Sequence, residues 1–120
     1  MLVQEGDHMK RDMDIIRNLL IELEDASGLI DREDPSGAYH ITLILDADLA
    51  KGAPCFDGQG MPVHGTLTRL TWAGHEFLDA MRDDTIWKKV KEKALAPAAS
   101  WTFSILLEYA RIEIKSRLGI

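Results

Sequence analysis

From Met13 the apolar residues recur at helical spacing: Met13, Ile16, Leu19, Leu20 and Leu23. Arg17, Asn18, Glu22 and Glu24 fall between them, so a first helix has one dry stripe and one wet face. Asp12 or Asp14 supplies its N-cap, and Ser27-Gly28 ends it. Leu29 and Ile30 are two apolar residues in a polar loop; both are expected to plug into the core as a very short strand. Asp34-Pro35-Ser36-Gly37 reads as a turn, or as an N-cap followed by proline at the first helical position. A helix over 38–51 follows, with Ile41, Ile44, Leu45 and either Ala47 or Asp48 facing inward and Gly52 as its stop.

Residues 52–65, GAPCFDGQGMPVHG, predict two short strands turning at Gly58-Gln59-Gly60, the second continuing from Val63 to Thr71. The strand then runs into a helix for which Thr71 is the N-cap. Gly74, Phe77, Leu78, Met81 and Thr85 share one face of that helix. Trp72 is expected to join Phe77, Leu78 and Met81 in bridging the hairpin and the first helix. Glycine is costly inside a helix, so Gly74 is expected to admit another backbone at close range.

At Asp83-Asp84 the helix either runs on or restarts, with Asp84 as the cap. Trp87, Val90 and Ala94 then form a dry side, and Lys88, Lys89, Lys91 and Lys93 a wet one. Pro97 breaks the helix, and Ser100 caps a last one over 101–118 that Gly119 ends. This last helix has two apolar faces. Trp101, Ile105 and Ile112, with Glu108, lie near one, and Phe103, Leu106, Leu107, Ala110 and Ile114 near the other. One face packs back on Trp87 and Val90. The other, represented by Phe103, Leu106, Leu107 and Ile114, is left for a second copy or another partner, the alternative being that the domain buries both faces itself.

A chain of 120 residues with 46% apolar residues suits one core. The expected organisation is a disordered or non-native leader over 1–8 and a single domain over 9–120, of which 98–120 is a helical extension. Net charge is −6, and the isoelectric point is near 5.1. That sign disfavours coating nucleic acid or anionic membrane by charge. Cys55 is the single cysteine, so neither an intrachain disulfide nor a cysteine zinc cluster is available. No apolar run approaches the roughly 20 residues that span a bilayer, and a cytoplasmic location is expected.

The stretches MKRDMDIIRNLL, YHITLILDADLA and LTRLTWAGHEFLDAMRDDTIWKKVKEK resemble a bacterial and prophage family classed as a domain of unknown function. The resemblance covers nearly the whole chain from Met9. It implies an α+β winged-helix-like domain with a small antiparallel β-wing and an additional C-terminal helix. It also implies a setting among phage or mobile-element genes, and it carries no catalytic residues. The segment around His40 is similar to the third helix of winged-helix domains: His40, Ile41, Ile44, Ala47 and Leu49 match, and Asp48 stands where glycine is usual. Between the first helix and this one there is room for only a turn or two, around 34–38.

Candidate chemistry is sparse. His75-Glu76 with Asp79 is similar to the start of a zinc-protease helix, but aspartate stands where the second histidine belongs and no third ligand is placed. These residues are expected on a solvated face. His40 is expected to be a half-buried packing residue beside Tyr39, with an approach to His64 across helix and wing as the alternative. Cys55, between Pro54 and Phe56, is expected to be a small core residue. Gly58-Gln59-Gly60 lacks the lysine and hydroxyl of a phosphate loop.

The chain is therefore expected to be no enzyme and to need no cofactor. Its expected work is as a protein-interaction or regulatory module, with another protein or itself as partner. A sequence-specific DNA-binding regulator is the alternative. Base-reading helices use Arg, Lys, Asn or Gln, whereas the outward positions here are Tyr39, Thr42, Leu43 and Asp46. Lys51, His64 and Arg69 are left as the candidate nucleic-acid contacts.

Overall fold

The first apolar stripe folds as α1 (Met13–Asp25), because Asp12 ends the preceding chain as an N-cap: its Oδ1 accepts from Asp14 N at 2.9 Å. A computed structural model describes residues 10–94 and 103–119. The leader over 1–8, Pro97, Ser100 and Trp101 lie outside the described residues, as do the side chains of Ala94 and Phe103. The chain forms two compact units, Met1–His75 and Glu76–Ile120.

In the N-terminal unit, Met13, Ile16, Leu19, Leu20 and Leu23 are all buried. Arg17, expected in water, is 7% exposed. It stands four residues after Met13 and three before Leu20, so its methylene stem widens the apolar stripe. After Ala26 caps α1, the chain enters β1 (Ile30–Arg32). Ile30 is buried there, whereas Leu29 is 59% exposed and does not plug the core. Successive side chains of an extended chain point opposite ways, so only one of two adjacent apolar residues can face inward.

Asp34 caps α2 (Pro35–Asp46): its Oδ2 accepts from Gly37 N at 2.8 Å, and Pro35 opens the helix. Ile41 and Ile44 are fully buried. The helix stops five residues before the expected end. Ala47 caps it, and Asp48 takes a left-handed conformation, φ 58°. Leu49 N then donates to Ile44 O at 3.1 Å and Asp48 N to Leu45 O at 3.0 Å, the paired bonds of a Schellman ending. Asp48 faces solvent and Ala47 is half-buried. Aspartate tolerates the left-handed region that a helix end otherwise reserves for glycine. Gly52 is consequently not a helix stop. It belongs to a strand, opposite Leu67, where a Cβ would overlap the Thr66 carbonyl.

β2 (Ala50–Phe56) and β3 (Pro62–Leu70) form the expected hairpin. Asp57 builds its turn by accepting from Gln59 N at 2.8 Å and Met61 N at 3.0 Å, with Gly60 at φ 82°. The antiparallel order is β1-β3-β2, with Ile30 opposite Leu67 and Lys51 opposite Arg69. Leu67, at 0% exposure, is the middle of the sheet's dry face. Beyond Ala50, β2 is exposed along its length as an edge strand. Cys55, expected in the core, is therefore exposed, because this end of the hairpin extends past the packed layer.

Thr71 ends β3 and caps α3 (Trp72–Met81) by accepting from Gly74 N at 3.1 Å. Gly74 meets its expected use, since a Cβ there would overlap the Leu49 carbonyl oxygen. Trp72 is 80% exposed and is not a core residue. Two positions along a helix are roughly 200° of rotation, so a helix that buries Gly74 turns Trp72 outward.

In the C-terminal unit, Phe77, Leu78 and Met81 are fully buried. The helix does restart, and Asp83 rather than Asp84 is the cap of α4 (Asp84–Ala94), accepting from Ile86 N at 2.9 Å. Thr85 is exposed in the first turn of α4, not on the buried face of α3. Trp87 sets its ring edge toward Phe77, 6.4 Å between centroids, and Lys91 Nζ lies 5.6 Å from the Trp87 ring centre. α5 (Phe103–Leu118) packs on α4 and ends at Gly119, φ 75°. Arg117 ties its last turn to the α4 cap, donating to Asp83 Oδ2 at 3.2 Å. Among the described side chains of α5, the buried ones are Leu106, Ala110 and Glu113.

Candidate functional site

The hairpin places two of the three candidate nucleic-acid contacts together. Lys51 on β2 stands directly opposite Arg69 on β3. His64 lies five residues along β3 from Arg69, about 16 Å at the usual strand rise. Its Nε2 is 3.9 Å from Asp31 Oδ2, and Lys51 Nζ is 3.1 Å from Asp48 Oδ1. Each of those two side chains thus has a carboxylate beside it. Arg69 instead donates to its neighbour's carbonyl, Leu70 O, at 3.3 Å. It lines a shallow cleft of about 260 Å³ with Leu23, Glu24, Leu70 and His75. Glu24 Oε2 lies 3.5 Å from His75 Nδ1, so that cleft holds negative charge as well as positive.

His40 is more deeply buried than the half-buried residue expected, at 1% exposure, and it does pack against Tyr39, 5.3 Å between ring centroids. Its Nδ1 donates to Ser36 O at 2.7 Å and its Nε2 accepts from Asp12 N at 2.9 Å. A backbone N–H can only donate and a carbonyl can only accept, so these partners define one neutral tautomer. Both ring nitrogens are spent on holding the start of α1 to α2. His64 has turned to Asp31 instead.

His75, Glu76 and Asp79 are exposed on α3. Among the described residues no three His, Cys, Asp or Glu side chains are grouped to hold a metal ion.

The candidate partner surface on α5 divides. Leu106 is 1% exposed and packs inside the unit, so it is not a surface residue. Leu107 and Ile114 are half-buried and line a groove of about 240 Å³ with Glu76, Asp79, Ala80 and Arg111. Leu106 and Leu107 are one residue, roughly 100°, apart on the helix, and that rotation separates a core residue from a groove residue. The side chain of Phe103 lies outside the described ones.

Nothing in the sequence singles out Glu113. It is 8% exposed, with Lys93 Nζ at 2.8 Å from Oε1 and Lys89 Nζ at 3.7 Å from Oε2. The Lys93 hydrogen bond, with the charges of both lysines, holds its carboxyl below the usual glutamate range against the opposing effect of burial. Lys89 and Lys93, one helical turn apart, are the available signal, but their partner lies twenty residues further along the chain.

These features define a small mixed α+β protein, with five helices and a three-stranded antiparallel sheet among the described residues. No described helix is long and apolar enough to cross a membrane. The chain belongs to the family described as hypothetical protein (DUF2513), whose model matches residues 10–100. It is similar to an uncharacterized protein of Haemophilus influenzae, 29% identical over an alignment 120 residues long that covers 92% of this chain and 100% of the relative. No solved structure matches.

Proposed function

We propose that this chain is a non-enzymatic, winged-helix-like protein-interaction or regulatory module of the bacterial cytoplasm, carried among phage or mobile-element genes. The winged-helix reading is supported by the β2–β3 hairpin that follows α2 and by the return of β3 to pair with β1. A single helix stands between β1 and β2, so the module is an abbreviated form. The interaction role is carried by the α5 groove, where half-buried Leu107 and Ile114 lie beside the charged Glu76, Asp79 and Arg111. Apolar surface rimmed by charge is the usual composition of a protein-binding face. Affinity capture from the host with the full chain and with Ile114→Glu tests it. A partner retained by the native chain and lost from a folded variant supports the role. Equal capture by both overturns the groove's part in it.

DNA binding is the second reading, favoured by one observation: Lys51 and Arg69 face each other across the hairpin. The carboxylate beside Lys51 and exposed Asp46 on α2 oppose it. Selection from random duplex DNA separates the two readings. A tight, reproducible motif replaces the first with the second, and Arg69→Ala then lowers the salt slope by about one contact.

A further inference from the structure

We infer that the groove of the C-terminal unit seats α5 of a second copy of this chain, with Arg111 of each copy set against Glu76 and Asp79 of the other. The inference rests on the interaction-module reading and names its partner.

Helical spacing gives α5 two adjacent stripes. Leu106, Ala110 and Glu113 form the buried one. Leu107, Arg111, Ile114 and Leu118 recur at i, i+4, i+7 and i+11 and form the other. Leu107 and Ile114 are half-buried, and Leu118 is 67% exposed, so the apolar line continues into solvent past the groove. One charged residue, Arg111, interrupts it. A single polar residue in an apolar helix seam fixes register and partner choice.

The two carboxylates around the groove are left over within the chain. Among the described residues neither Glu76 nor Asp79 has a cation at ion-pair distance. Arg111 has exposed Glu108, at 3.9 Å, as its ion-pair partner. One groove therefore offers two carboxylates and one guanidinium around an apolar floor of Ala80, Leu107 and Ile114. A twofold axis brings a surface against itself, so a patch that carries both signs can complement its own copy. The carboxylates turn phosphate backbones away, which separates this site from the Lys51–Arg69 face.

Light scattering during size exclusion of the full chain at high micromolar concentration should give twice the 13.5 kDa chain mass. Asp79→Arg and Arg111→Glu each place like charges across the axis. Each should weaken pairing by roughly tenfold or more. Both positions are exposed, and an unchanged circular-dichroism melt checks that the variants fold. Mixing the two variants in equal amounts should restore the dimer. The new carboxylate of one copy then meets the new guanidinium of the other, and the native pair at the second contact is intact. A monomeric native chain overturns the inference, as does a dimer indifferent to both variants or a mixture that stays monomeric. A monomer that still captures another protein through Ile114 overturns self-pairing and leaves the interaction module standing. An enriched DNA motif overturns the module itself.

Discussion

The hydroxyl of Thr71 donates to the carbonyl of Asp48 at 2.6 Å while accepting from Gly74 N at 3.1 Å. Thr71 N also donates to Leu49 O at 3.1 Å. One residue thus closes the end of β3, the exit of α2 and the start of α3. Thr71→Val keeps the shape and removes both hydroxyl bonds. It should cost about 1–2 kcal/mol in urea unfolding, while Thr71→Ser retains most of the stability. Equal midpoints for native and valine proteins would show that the cap contributes nothing.

Asp48 holds a left-handed conformation without being glycine. Asp48→Gly removes that strain and loses only an exposed ion pair to Lys51, which is worth little. A gain of about 0.5–1 kcal/mol is expected, and a loss of similar size for Asp48→Ala. Thermal melts of the two variants should move in opposite directions.

His40 spends both ring nitrogens on backbone groups. His40→Leu leaves Asp12 N and Ser36 O without them and should cost about 1–3 kcal/mol. Faster hydrogen exchange at the Asp12 amide would place the loss at the junction of α1 and α2. An unchanged rate there would refute that placement.

Phe77 is fully buried and Trp72 is 80% exposed. Phe77→Ala should cost about 3–5 kcal/mol, and Trp72→Ala should stay within about 0.5 kcal/mol of native. A melting temperature lowered equally by both would contradict this contrast.

The carboxyl of Glu113 is held below its ordinary value of 4.5, first by the Lys93 hydrogen bond. A carboxyl lowered in the folded state contributes stability that is present above its unfolded value and is lost as pH falls through its folded one. Asp57 and Asp83 are lowered in the same direction by backbone N–H donors. The native protein should therefore lose stability on acidification below the ordinary carboxylate range. Glu113→Gln should be less stable near neutral pH and show a shallower acid loss. Parallel pH profiles for the two proteins would remove Glu113 from this linkage.

Features set by neighbours in sequence are legible in the chain itself. The α1 stripe, the Asp34-Pro35 opening, the Thr71 cap and the close approach at Gly74 depend on spacing within a few residues, and each is found in the fold. Features set by which side of an element meets the core are not legible in that way. Leu29, Cys55 and Trp72 are apolar residues whose orientation depends on where a strand or helix begins, and all three face solvent. The α2 terminus falls short of Gly52 because aspartate serves at a helix end where glycine is usual. On α5 the apolar set is visible in the sequence, but assigning Leu106 inward and Leu107 to the groove requires the rotation of the helix against α4. Glu113 requires the same knowledge.

β2 leaves one long edge of the sheet open, and it carries Lys51 and Pro54. Lysine resists burial against another strand, and proline has no N–H to give it. The edge is thereby protected against being extended by a stray chain. A chain with this sheet is expected to resist polymerising strand on strand when concentrated.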